Sequence, residues 1–104
     1  MTRTFSFQAA PATALLSILG NEKRVQVLAL IVEREWDVGS LATEVGLSQS
    51  ALSQHLKKLR DGKLVTVRRE AQTLYYSCSS PSVILILGVL QDHFCEHADL
   101  AYAA

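Results

Sequence analysis

In VGSLATEVGLSQSALSQHLKKL, residues Val38 to Leu59, apolar side chains recur at helical spacing on both sides of a Gly46-Leu47 break. Asp37 can cap a short helix through Val45, because Leu41, Ala42 and Val45 share one face. Ser48 can cap the next helix, whose inner stripe is Leu52, Leu56 and Leu59. Ala42 is small where the two helices cross, Gly46 supplies the turn and Leu47 anchors it. Any helical hairpin uses small residues at its crossing, so this much fits a plain hairpin as well as a helix-turn-helix. The solvent face of the second helix separates the two. Gln49, Ser50, Ser53, Gln54 and Lys57 lie opposite the leucines, and no acidic residue occurs from Ser48 to Arg60. An ordinary exposed helix favours Glu and Lys pairs four residues apart. Ser and Gln are short or planar hydrogen-bonding groups that can approach base edges and phosphates, and Gln pairs bidentately with adenine in the major groove.

Upstream, Pro11 suits the first turn of a helix running to Leu19, with Leu15, Leu16 and Leu19 at helical spacing. Gly20 ends it and Asn21 caps a second helix running to about Glu35, with Val25, Leu28 and Val32 as its inner stripe. Downstream, Asp61-Gly62 is a turn signal, after which the apolar period changes to two. Leu64–Arg69 and Thr73–Ser77 read as a β-hairpin with the polar tip Glu70-Ala71-Gln72. Ser80 caps a final helix with Pro81 in its first turn, running to about His97. Val83, Ile84, Leu85, Ile86, Leu87, Val89, Leu90 and Phe94 wrap more than one face of it, so something must cover it. The reading favours the first helix plus the same helices of a second copy, through Leu15, Leu16, Leu19, Ile84, Leu87, Leu90 and Phe94; a different protein partner is the alternative.

The fold class expected is mainly α with a small β-hairpin: about five helices and a two-stranded wing. The 104 residues form a single domain, with residues 1–8 as a flexible arm and 98–104 as a frayed tail. An apolar share of 49% excludes a disordered chain. The longest apolar run, Val83–Leu87, is far below the ~20 residues that span a bilayer, and no leader-like segment opens the sequence. Two distant cysteines make no secreted disulfide framework, so the expected location is the cytoplasm. No histidine stands beside a nucleophile with an orienting acid, and no glycine-rich phosphate loop occurs, so an enzyme is not expected. Ten Lys and Arg balance ten Asp and Glu. That zero hides segregation: residues 48–73 hold six cations against two acids, a net +4, and the remainder carries −4. Local positive potential is the footprint of phosphate binding.

Asn21-Glu22-Lys23-Arg24, Val38-Gly39-Ser40-Leu41-Ala42, and Gly46 to Leu56 followed by Leu59-Arg60 together resemble the ArsR/SmtB winged-helix repressors, and among them the branch of NolR, HlyU and BigR. The Arg68-to-Thr73 tip and Tyr75-Tyr76 extend the likeness, which covers about Leu15 to Cys95. The resemblance implies a homodimer paired through the first and last helices, with the fourth helix in the major groove of double-stranded DNA and the hairpin as a wing. By position it makes Ser48, Gln49, Ser50, Ser53 and Gln54 contacts to the DNA, chiefly to bases, and Lys57, Arg68, Arg69, Gln72 and Thr73 contacts to backbone or minor groove. His55 reads as a half-buried packing residue. A winged-helix protein-interaction module without DNA is the alternative, though such modules lack this polar face and basic wing.

Relatives of this kind are often released from DNA by metal or by thiol oxidation. Residues 37–45 hold no Cys or His, and Asp92-His93 does not match the family's ligand spacing, so no metal and no cofactor are expected, although His93 and His97 share a face. In the thiol version a second-helix cysteine pairs with one near the end of the last helix. Cys95 falls on the latter position, but Ala29 occupies the former, leaving Cys78 as the substitute partner. The candidate redox thiols are Cys95 and Cys78; a regulator with no such input is the alternative.

Overall fold

The computed structural model describes residues 4–95. Residues 4–8 carry neither helix nor strand, and the 98–104 tail lies outside the described residues. Five helices and three short strands follow in the order α1 (Ala9–Leu19), α2 (Glu22–Ile31), β1 (Trp36–Asp37), α3 (Val38–Val45), α4 (Gln49–Asp61), β2 (Thr66–Glu70), β3 (Thr73–Ser77) and α5 (Pro81–Phe94).

The helix starts are those the capping residues dictate. The side chains of Asn21, Asp37, Ser48 and Ser80 accept hydrogen bonds from the backbone N–H of Arg24, Ser40, Ala51 and Val83, which would otherwise lack partners in the first turn. Gly46 closes α3 in the left-handed conformation (φ 71°), where a Cβ would be strained, and the Leu47 N–H returns to the Ala42 carbonyl. The Lys23 ammonium donates to the Val45 carbonyl at the same helix end, where a cation complements the dipole.

The core is built from Val27, Leu28, Ile31, Leu41, Ala42, Val45, Leu52, Leu56, Leu59, Tyr76, Cys78 and Val83. The three leucines expected on α4 are all buried. On α2 the expected stripe is corrected. Leu28 is buried, but Val25 and Val32 are half-buried, and Val27 and Ile31 take the core positions.

The second helix also ends sooner than its pattern implied, at Ile31 rather than about Glu35. Its last carbonyls find partners outside the helix: Cys78 N–H donates to Ile31 O at 3.0 Å and the Trp36 indole N–H to Leu30 O at 3.2 Å. The chain is thereby turned into β1, which the sequence reading lacked. Trp36 pairs with Tyr76 and Asp37 with Tyr75, so the expected two-stranded wing is a three-stranded antiparallel sheet of order β1-β3-β2. The hairpin register runs from Thr66↔Ser77 to Glu70↔Thr73, leaving a two-residue tip, Ala71-Gln72, with Ala71 at φ 53°. The first strand thus starts two residues later and ends one later than expected.

The last helix stops at Phe94 instead of about His97, and only Val83 on it is buried. No residue of α1 is buried. Among the described residues no helix is long and apolar enough to cross a membrane.

Candidate nucleic-acid interface

With Leu52, Leu56 and Leu59 fixed inward, the helical period leaves Gln49, Ser50, Ser53, Gln54 and Lys57 exposed on the far side of α4. Ser48 is spoken for at its oxygen, which accepts from Ala51 N–H at 3.1 Å, and its hydroxyl lies 3.3 Å from that of Ser50. No acidic residue occupies the first turn, so its free N–H groups remain available to an anion. Lys57 pairs with Asp61 at 2.9 Å across one exposed helical turn. An exposed pair of this kind contributes at most about 1 kcal/mol, so a phosphate can compete for the ammonium.

The wing returns to this helix. Gln49 and Ser53 of α4 line one groove of about 420 Å³ with Gln72, Thr73 and Leu74 of the hairpin and Asp37, Val38 and Gly39 at the start of α3. The structure therefore brings together four of the polar residues expected to touch DNA, from two separate elements. Asp37, which also lines the groove, stays charged, because the Ser40 backbone N–H holds its carboxyl below the ordinary range.

The two wing arginines diverge. Paired residues of antiparallel strands share a face and successive residues alternate. Arg69 is paired with Leu74, which lines the α4 groove, and its Nε donates to Ala71 O at 3.2 Å within the exposed tip. Arg68 is paired with Tyr75 on the opposite face. There its guanidinium forms a two-pronged contact with the Glu35 carboxylate (2.9 and 3.0 Å), stands 4.6 Å from the Tyr75 ring centre, and lies 3.6 Å from Glu70. Arg68, expected beside Arg69 at the DNA, is thus engaged by protein groups. The Arg68 hydrogen bond pulls the Glu35 carboxyl below its usual range and Glu35 raises the guanidinium in return. Glu35 and Tyr75 were absent from the sequence reading of the site. The only available signal was the alternation Glu35-Trp36-Asp37, too short to mark a strand.

The apolar face expected to pair is split. Leu16, Ile84 and Phe94 are exposed, joined by Leu85 and Val89, whereas Leu15, Leu19, Leu87 and Leu90 are half-buried and Leu19 and Leu87 pack against the chain's own core. Between α2 and α5 runs a groove of about 460 Å³ lined by Val25, Ala29, Val32, Leu87, Leu90 and Phe94 among others.

Cys78 and Cys95 are free, and they flank the two ends of α5. The fourteen residues of α5 that lie between them span about 21 Å, against the ~7 Å limit for a disulfide. A bond between them within one chain is therefore excluded in this fold. Burial also pushes the Cys78 thiol up, away from the reactive thiolate. Among the described residues no three metal-ligating side chains gather; Glu96 and His97 lie outside them.

Residues 21–67 match the model of the bacterial regulatory proteins of the arsR family. The nodulation protein NolR of Rhizobium meliloti is 53% identical over 88 residues, 85% of this chain and 72% of that protein. The chain belongs to the ArsR family. The transcriptional activator HlyU of Vibrio cholerae is 43% identical over 85% of this chain and 82% of its own length. The solved structure of NolR from Sinorhizobium fredii superposes with a TM-score of 0.82 at 49% identity, covering 90% of this chain and 98% of that one. This ArsR-family chain is a winged helix-turn-helix DNA-binding transcriptional regulator, in the branch that the sequence resembled. The family and these relatives are regulators rather than enzymes.

Proposed function

We propose that two copies pair through α1 and the exposed side of α5 and set their α4 helices into neighbouring turns of one duplex, about 34 Å apart. Gln49, Ser50, Ser53 and Gln54 read bases, while Ser48, Lys57, Arg69, Gln72 and Thr73 grip the backbone or minor groove. The observation that carries this is the shared groove: Gln49 and Ser53 of α4 and Gln72 and Thr73 of the hairpin present polar groups toward one space, and the α4 face has no acid from Ser48 to Arg60. The dimer doubles the +4 of residues 48–73 to a net +8, of which the two Arg68 charges are met by Glu35 and the rest are left for phosphate. Such a dimer, working in the cytoplasm, represses by occupying a promoter against polymerase.

Selection of duplexes from a random pool tests the reading. A recovered pseudo-palindrome with half-sites one helical turn, or a multiple of it, apart supports it. Recovery of no motif at low salt would refute it. A reporter placed behind the recovered operator then fixes the direction of control, since the relative HlyU bears the name of an activator; expression should fall when the chain is supplied.

A further inference from the structure

We propose that Glu35 is a positioning residue for DNA binding: by gripping Arg68 it straps the outer strand of the wing to the body and sets where the wing tip stands relative to α4. The inference rests on the DNA-binding reading above and adds to it a residue outside the contact surface.

The sheet order carries the argument. In β1-β3-β2 the outer strand β2 pairs only with β3, and β3 is tied to the body at its far end, by the two pairs of β1 and by Tyr76 in the core. Toward the tip, where Arg68, Arg69 and Glu70 are exposed, the ribbon is two-stranded and free to twist. Arg68 leaves β2, crosses the face of Tyr75 on β3, and reaches Glu35 immediately before β1. It thus spans two strand spacings, about 10 Å. The two-pronged contact fixes orientation as well as distance. Asp37, two residues on from Glu35, caps α3 through Ser40 N–H, so the strap ends on the segment from which the helix-turn-helix departs. Both partners are partly exposed, with side-chain accessibilities of 47% and 40%, which makes the contact a poor contributor to stability. Its value lies in angle. With Arg68 held on the outer face, Arg69 is left to meet the duplex from the side of α4, beside Gln72 and Thr73, which line the α4 groove at the tip.

The test is a double-mutant cycle of Glu35→Gln and Arg68→Gln on the full chain, with affinity for the selected operator read by fluorescence anisotropy between 50 and 200 mM salt. Each single variant should bind on the order of tenfold more weakly, as expected for coupled neighbours, and the double variant no more weakly than either. Melting temperatures should stay close to wild type, and the slope of log K against log salt should not change. Arg69→Gln serves as the contrast, lowering the slope by about two across the two copies. The proposal is overturned if Glu35→Gln leaves affinity intact, or tightens it with a steeper slope, the mark of an acid that merely masks Arg68. It is also overturned if Arg68→Gln lowers the slope as Arg69→Gln does, the mark of a direct phosphate contact. Wild-type protein that ignores duplex DNA would instead remove the DNA-binding reading, and this inference with it.

Discussion

His55 lies on the flank of α4, between the leucine stripe and the polar face, with its Nδ1 3.2 Å from a guanidinium nitrogen of Arg24. Arginine only donates, so Nδ1 accepts and the ring is neutral with its proton on Nε2. The same Arg24 donates from Nε to the Ile18 carbonyl at 2.6 Å, linking the end of α1 to α4. Burial first, then the charges of Arg24 and Lys58, hold the imidazole below its ordinary value of 6.5. As pH falls below 6.5 the unfolded chain takes this proton before the folded one does, so stability declines through the window down to the lowered folded value. Above 6.5 the group contributes nothing. His55→Gln, which keeps an acceptor for Arg24, should flatten the fall of melting temperature between pH 6.5 and 5 and change little at pH 7.5. An unaltered profile would remove His55 from the account. Glu35 and Asp37 act lower: depressed carboxyls stabilise the fold above their ordinary 4.5 and 3.8 and lose that contribution as pH drops through the folded values. At the contact surface, Gln54→Ala should cost about 1–3 kcal/mol of discrimination at one base position, while Arg69→Ala should weaken all sequences alike and reduce salt dependence. Equal losses on operator and random duplex for both variants would contradict that division.

At the scale of elements, α2 decides what a periodicity can and cannot tell. Val25, Val27, Leu28, Ala29, Leu30, Ile31 and Val32 make it apolar nearly all round, because one side meets the buried residues of α3 and α4 while Val25, Ala29 and Val32 look toward α5. Two stripes therefore satisfy the helical period, and the expected stripe mixes them: Leu28 faces the core, whereas Val25 and Val32 face the α5 groove. Ile31→Ala should cost about 2–5 kcal/mol in urea unfolding, and Val32→Ala clearly less, since its side chain is only half-buried. The reverse order would restore the sequence-based stripe. Other elements were legible because a local residue specifies them: Asn21, Asp37, Ser48 and Ser80 each cap the helix the sequence assigned to them. The strand β1 was not legible, since two residues carry no period and their pairing partners lie about 40 positions away. The same gap hid half of the wing. Arg68 and Arg69 are neighbours in sequence, yet strand alternation sends them to opposite faces, and only the Glu35 contact shows which one is occupied.

For the whole molecule, the question is what covers α1 and α5. Leu16 (62%), Ile84 (48%), Leu85 (72%), Val89 (57%) and Phe94 (77%) are exposed on helices that contribute one buried residue between them. A standard interface buries about 800 Å² per partner, roughly a tenth of this chain's 7600 Å² of surface, so a second copy can shelter these groups without disturbing the core. Charge placed there should separate the copies. Leu16→Glu with Leu85→Glu puts carboxylates on exposed positions of both helices and removes no buried side chain, so helix content by circular dichroism should persist while sedimentation reports a monomer. The consequence for DNA follows from linkage of the two reading heads. In the dimer, binding of one half-site makes the second intramolecular, which strengthens the whole by about 10²–10⁴-fold. The separated chain should lose affinity for the full operator by that range, and its salt slope should fall to half, because only one set of phosphate contacts remains. A variant that stays dimeric would show that other residues hold the pair. A monomer with full affinity and slope would mean that a single α4 and wing suffice for recognition.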